Sequence, residues 1–224
     1  MSTILISGAG RGLGFELARQ YAADGWRVIG TVRDAAARGR LEKLGAEGHI
    51  ADVTRREQLA AVGKKLQGTA LVVLFCNAGI IGKRGMALGS FDYEAWEDVL
   101  RVNVLGAAAL AEALVDNVAA SERKVIAMMS SRLGSIAESS GETLPYATSK
   151  AALNMLVKGL AVTLAAKRIA VVALSPGWVR TDMGGAGAPL ASETSVKGLR
   201  QVIAGLKSGD SGRFFSHDGS SIPW

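Results

Sequence analysis

The chain has 224 residues, 49% hydrophobic and 21% charged, with 28 glycines, which excludes disorder and matches one α/β domain with a sizeable core. Its net charge of +6 comes from scattered Lys and Arg not interleaved with aromatics, which argues against a nucleic-acid surface and leaves a mild preference for anionic ligands. Cys76 is the single cysteine, so no internal disulfide and no zinc set is expected, and no apolar run reaches the roughly 20 uncharged residues of a membrane span.

Taken in chain order, the β-branched run Thr3–Ser7 reads as a buried parallel strand. Arg27–Val32, Leu71–Phe75, Lys124–Met129 and Ile169–Leu174 read the same way, and Gly212–Ser216 as one more short strand. Gly12–Asp24, Arg55–Lys65, Tyr93–Val118 and Tyr146–Ala166 carry helical periodicity, and Glu193–Leu206 adds a further helix. Alternating strands and helices predict a doubly wound parallel sheet covered on both faces. Residues 1–224 form a single domain in this reading, with a short substrate loop and helix region at about 184–206. Met1–Ser7 lacks a basic n-region and a long apolar core, so no signal peptide is read and the cytoplasm is expected.

Ser7-Gly8-Ala9-Gly10-Arg11-Gly12-Leu13-Gly14 lies between the first strand and the first helix. That context suits a dinucleotide: glycine lets the backbone approach a pyrophosphate, which then meets the positive end of the helix. The fold class is accordingly a Rossmann-type sheet. The spacing of Gly8, Gly12 and Gly14 is G-x-x-x-G-x-G, not the commoner G-x-G-x-x-G. Strand two ends Val32-Arg33-Asp34. Asp34 could bind the ribose hydroxyls of NAD or simply turn the chain. Arg33, joined by Arg11, is the preferred reading, because two guanidiniums clamp a phosphate and so select NADP(H).

Tyr146 and Lys150 stand at i and i+4, on one face of the predicted helix. A phenol with a pKa of about 10 is a poor proton donor–acceptor at neutral pH, and a nearby ammonium would lower that value. His49 and His217, the only histidines, lie in no nucleophile motif, which disfavours a Ser-His-Asp hydrolase.

With these motifs in order, the sequence resembles the short-chain dehydrogenase/reductase family, in its compact single-domain branch. Ser7-Gly8 through Gly14 resembles the family's glycine turn, and Asp52-Val53 its adenine-contacting pair. Asn77-Ala78-Gly79 resembles the motif after strand four, and Asn103 falls at the helix asparagine of the tetrad. Ser131 before Arg132-Leu133-Gly134 resembles the active serine, chosen over its neighbour Ser130. Pro176-Gly177-Trp178-Val179-Arg180-Thr181 resembles the turn beside the nicotinamide. The phrases around Ser131, Pro176 and the Ile222-Pro223-Trp224 ending are most similar to the sniffer and C-factor-like carbonyl reductases.

The resemblance implies reduction of an aldehyde or ketone, or the reverse, with Tyr146 moving the proton and Ser131 holding the carbonyl oxygen. Lys150 would tune the tyrosine and bind the nicotinamide ribose, and Asn103 would support a water leading to solvent. Gly8, Gly10, Arg11, Gly12, Leu13, Gly14, Arg33, Asp52, Val53, Asn77, Ala78, Gly79, Pro176, Gly177, Val179 and Thr181 would complete the cofactor site. Leu133, Trp178 and Met183 would wall the substrate, with Ile136 as a further apolar candidate and 184–191 as a lid. The family's dimer interface would use 93–118 and 146–166, so a homo-oligomer acting on a small carbonyl is expected, without nucleic-acid or membrane partners. Ser7 replaces the family threonine, and Cys76 replaces an asparagine. The serine–tyrosine gap is longer than in many members. Related sequences also resemble intercellular signals, so a non-catalytic NADP-binding regulator is the alternative.

Overall fold

The computed structural model describes residues 1–207 and 209–224. Seven parallel strands form one sheet: β1 (Thr3–Ser7), β2 (Arg27–Val32), β3 (Glu47–Ile50), β4 (Val73–Cys76), β5 (Val125–Met129), β6 (Ala170–Ser175) and β7 (Phe214–Ser216). Their order is β3-β2-β1-β4-β5-β6-β7. Ile4 registers with Val28 on one side and Val73 on the other.

Every residue of β1, β4 and β5 is buried, which is why these strands read as continuous apolar runs and not as alternation. Successive side chains feed two cores. Leu5, Ile126 and Met128 face helices α3 (Arg56–Lys65), α5 (Gly106–Ala119) and α6 (Leu144–Thr163), through Leu59, Leu110, Leu114 and Val157. Ile4, Ile6, Val125 and Ala127 face α1 (Gly12–Ala23), α2 (Ala35–Glu42) and α7 (Ser192–Gly205), through Leu17, Leu41 and Leu199. No described helix is long and apolar enough to cross a membrane.

The structure adds α2 and β3, which periodicity did not distinguish. The expected helix Tyr93–Val118 is instead α4 (Tyr93–Leu100), a π turn at Arg101–Leu105 and then α5. The strand order reverses between β1 and β4. Crevices for ligands open outside the carboxyl ends of the strands at such a switch point.

Candidate active site

The turn after β1 is shaped as a cradle. Gly8 and Gly12 take φ of 66° and 54°, in the left-handed region. A Cβ on Gly14 would lie 2.3 Å from the Gly8 carbonyl oxygen and 2.5 Å from Asn77 Nδ2. At Gly12 the nearest atom to an added Cβ is Thr181 Cγ2 at 3.9 Å, so that position faces open space between the first turn and the segment after β6. Arg11 supplies no side-chain cap to α1, which keeps the positive helix end available to an anion. The Ser7 hydroxyl accepts the Asn77 and Ala78 N–H groups at 3.0 and 3.1 Å, and Asn77 Nδ2 donates to the Ser7 and Gly8 carbonyls. These bonds fix Asn77-Ala78-Gly79 against the turn. A pyrophosphate-bearing dinucleotide fits this backbone cradle.

At the other end of the cradle, Asp34 accepts the Ala37 N–H at 2.7 Å and caps α2, so its carboxylate is committed to the helix. Arg33 is exposed beside Asp52. The Thr54 backbone N–H, with help from the Thr54 hydroxyl, Arg33 and Arg55, holds the Asp52 carboxyl below its ordinary range. Arg11 turns to Asp182, 2.8 Å away, in an exposed pair across the mouth of the cradle. The guanidinium beside the first turn is that of Arg40, which donates to the Gly10 carbonyl at 3.2 Å.

Asn103 is buried in the π turn, where the wider helix aims it inward. It accepts the Ile80 N–H at 2.8 Å, donates to the Ile80 carbonyl at 2.9 Å, and donates to Ser149 Oγ at 2.9 Å. Ser149 in turn donates to the Tyr146 carbonyl at 2.7 Å. A Cβ on Gly79 would stand 3.2 Å from Asn103 Oδ1 and 3.5 Å from Lys150 Nζ, so this glycine separates asparagine and lysine at close quarters.

Tyr146 and Lys150 lie on the first turns of α6, with Pro145 in a position where the missing N–H costs nothing. Lys150 Nζ donates to the Met129 carbonyl at 2.7 Å and sits 5.4 Å from the centre of the Tyr146 ring. Burial pushes the phenol up to about 12, against the pull of the Ser131 hydroxyl. Burial also brings the Lys150 amine down to about 8. Burial, and not the lysine, sets the direction of the tyrosine's shift among the protein's own groups. The amine is desolvated, and one of its N–H groups is held by the Met129 carbonyl.

Ser131 ends the run after β5 and accepts the Leu133 N–H at 3.3 Å. Ser130 points the other way, donating to Asn154 Oδ1 at 2.6 Å inside the core. Asn154 Nδ2 then donates to the Gly134 carbonyl at 3.0 Å. Ser175 Oγ accepts the Arg132 N–H at 3.1 Å, and Ser195 Oγ donates to the Pro176 carbonyl at 2.7 Å. Sequence reasoning weighs Ser130 only as the alternative to Ser131 and passes over Ser175, Ser195 and Asn154. Only Asn154's position one turn beyond Lys150 hints at its place.

On the substrate side, Trp178 is 62% exposed and donates its indole N–H to the Gly184 carbonyl at 2.9 Å. Thr181 Oγ1 accepts the Gly184 N–H at 3.1 Å, and buried Val179 pairs with Leu190. The 184–191 segment is therefore pinned to the strand-six turn in the manner of a folded flap. Leu133 and Met183 are half-buried, while Ile136 is 76% exposed. Trp224 stacks on Phe214 at 5.7 Å, and its carbonyl accepts the Ala137 N–H, tying the end of the chain to the loop after Ser131.

The family model for short chain dehydrogenases matches residues 2–189. The chain belongs to this family. This short chain dehydrogenase is 39% identical over 153 residues to the C-signal of Myxococcus xanthus, covering 68% of this chain and 92% of that one. The carbonyl reductase Sniffer of D. melanogaster superposes with a TM-score of 0.93 at 32% identity, over all of both chains. The NADPH-bound carbonyl reductase from chicken fatty liver superposes at 0.92 with 28% identity, over 100% of this chain and 99% of that one.

Proposed function

We propose that this short chain dehydrogenase is an NADPH-dependent carbonyl reductase, with Tyr146 as the proton donor. The reading rests on one observation above others: the Tyr146 phenol, the Ser131 hydroxyl and the Lys150 amine converge beside the cradle at the carboxyl edge of the sheet. Bound reduced nicotinamide would supply the hydride.

Gly8, Gly10, Gly12, Leu13 and Gly14 would hold the pyrophosphate against α1. Arg33 and Arg40 would take the 2′-phosphate, because Asp34 already caps α2. Asp52 and Val53 would flank the adenine, while Ala78, Gly79, Pro176, Gly177, Val179 and Thr181 would position the nicotinamide end. Arg11 would have to leave Asp182 to contribute.

Ser131 would hydrogen-bond the substrate carbonyl oxygen and orient it towards the phenol. A phenol kept protonated by burial is ready to donate its proton in the reduction direction. As Tyr146 gave its proton to that oxygen, the nearby Lys150 ammonium would stabilise the phenolate left behind. Asn103, locked between Ile80 and Ser149, would keep α6 and the strand-four loop in register while this happens. Leu133, Trp178 and Met183 would bound the substrate.

Titration with NADPH and NADH, followed by oxidation of the reduced nicotinamide against aldehydes and ketones, tests the proposal. Tyr146→Phe should bind NADPH normally and lose turnover by about 10²–10⁴-fold. The likeness to the C-signal favours a second reading, a cofactor-binding signal without turnover. Tight NADPH binding with no turnover of any carbonyl, and no effect of Tyr146→Phe on the biological response, would favour it.

A further inference from the structure

Next to the amino end of α6 lies a cavity of about 310 Å³, lined by Lys83, Arg84, Met86, Glu142, Thr143 and Pro145, among others. Pro145, one of the lining residues, directly precedes Tyr146 in the chain. Resting on the reductase reading above, we propose that this cavity holds a carboxylate carried by the carbonyl substrate, gripped by Arg84 and Lys83.

Four observations support it. Arg84 donates to the carbonyl of Met183, spanning from the strand-four loop to a residue of the substrate wall. A guanidinium has five donors in a planar fork, so a bond to one carbonyl leaves an edge that matches a carboxylate. Lys83 reaches the same cavity, and its pair with Asp92 at 3.2 Å is exposed and weak. Asp92 also has a separate task, accepting the Ala95 N–H at 3.0 Å as the cap of α4, so Lys83 can turn to a ligand without leaving that carboxylate idle.

The third observation is the helix end. Thr143 precedes the 20-residue α6 and gives it no side-chain cap, which leaves a positive helix terminus facing the cavity wall. Fourth, Thr143 Oγ1 is buried and has no hydrogen-bond partner. Buried hydroxyls are ordinarily partnered, and rotation of this side chain towards the cavity would let a carboxylate oxygen accept from it. Glu142, which also lines the cavity, opposes an anion, but it is exposed, where water screens it. A cavity of this volume is at the small end of ligand sites, enough for the acidic end of a substrate whose carbonyl lies against Ser131 and Tyr146.

The test compares para-formylbenzoate with its uncharged methyl ester on the full chain. Calorimetry without nicotinamide measures binding, and NADPH oxidation measures turnover. The acid should bind at least about tenfold tighter than the ester, with the advantage shrinking as salt is raised. The paired variant Lys83→Gln/Arg84→Gln should abolish that advantage; both side chains are exposed, so folding is not at stake. Equal binding of acid and ester, no binding of the acid, or an advantage that survives the paired variant overturns the proposal. Turnover of both aldehydes without preference sinks the anion pocket and leaves the reductase standing. Preferential binding of the acid with no turnover of either aldehyde does the reverse.

Discussion

Tyr146 and Lys150 are displaced from their ordinary pKa values in opposite directions by one cause, the loss of water. The phenol is pushed up to about 12 and the amine down to about 8. For reduction, the phenol then stays protonated throughout the neutral range, and the amine is the group that titrates. kcat/KM for a carbonyl should be level below about pH 8 and fall as pH rises through it, a profile measurable by steady-state kinetics. A rise through the same region would contradict the assignment. The same burial sets a stability effect. Between about 8 and 10.5 the unfolded chain binds the lysine proton and the folded chain does not, so stability from this group rises with pH there. Below about 8 both states are charged and the full desolvation penalty is present. Tyr146 acts oppositely above 10, where the unfolded phenol ionises first and stability falls. Lys150→Met should therefore be more stable than the parent at neutral pH by about 2 kcal/mol, after losing its bond to Met129, while losing activity. Thermal melts at neutral and alkaline pH would check both the gain and its disappearance.

Helix α6 carries tyrosine and lysine, so what holds α6 against the Ser131 turn holds the site. A Cβ on Gly134 would come within 2.7 Å of the Lys150 backbone carbon and Cβ. One turn along, Asn154 bonds Ser130 and the Gly134 carbonyl. Gly134→Ala should cost about 1–3 kcal/mol through overpacking and lower kcat more than it raises KM, because it moves proton donor and carbonyl holder apart. Asn154→Ala should act in the same sense by leaving two buried groups unpaired. The two changes should combine less than additively, since they loosen one seam; denaturant melts of both single variants and the double variant would measure this. The seam also shows what the sequence could and could not convey. The glycine turn, β1, β2, β5 and the Tyr146–Lys150 face were legible because contiguous apolar runs and i, i+4 spacing are local signals. β3 was not, because Glu47-Gly48-His49-Ile50 is a half-exposed edge strand without an apolar run. The π turn that aims Asn103 inward is set by packing against Ile80 and Ser149, groups distant in the chain. The turning of Arg11 to Asp182 depends on how two loops 171 residues apart meet, which no local pattern encodes.

At the scale of the whole molecule, the cradle gathers its walls from the ends of β1, β2, β4, β5 and β6, so a ligand there ties together both halves of the sheet. Anything that binds only the folded chain stabilises it by mass action, about 2.7 kcal/mol at a hundredfold excess over its Kd. For a chain of this length that corresponds to roughly 5–10 °C in Tm. NADPH should give a shift of this size, and NADH a smaller one at equal concentration, because in the proposed complex Arg33 and Arg40 would take the 2′-phosphate while Asp34 is occupied as a cap. Arg33→Ala should weaken NADPH binding about tenfold to a hundredfold, the loss of one charge-assisted contact to phosphate, and leave the NADH shift nearly unchanged. Arg11 enters this balance differently. If it must leave Asp182 to reach the pyrophosphate, Asp182→Asn should release it and increase the NADPH shift slightly, since an exposed pair is worth only a few tenths of a kcal/mol. Thermal melts of the parent and the two variants against both cofactors would decide the matter. A larger shift with NADH than with NADPH would mean that Asp34 abandons the cap of α2 to bind ribose. The smaller stability of α2 in that complex, visible as faster amide exchange at Ala37, would then be the sign that the helix has lost its first bond.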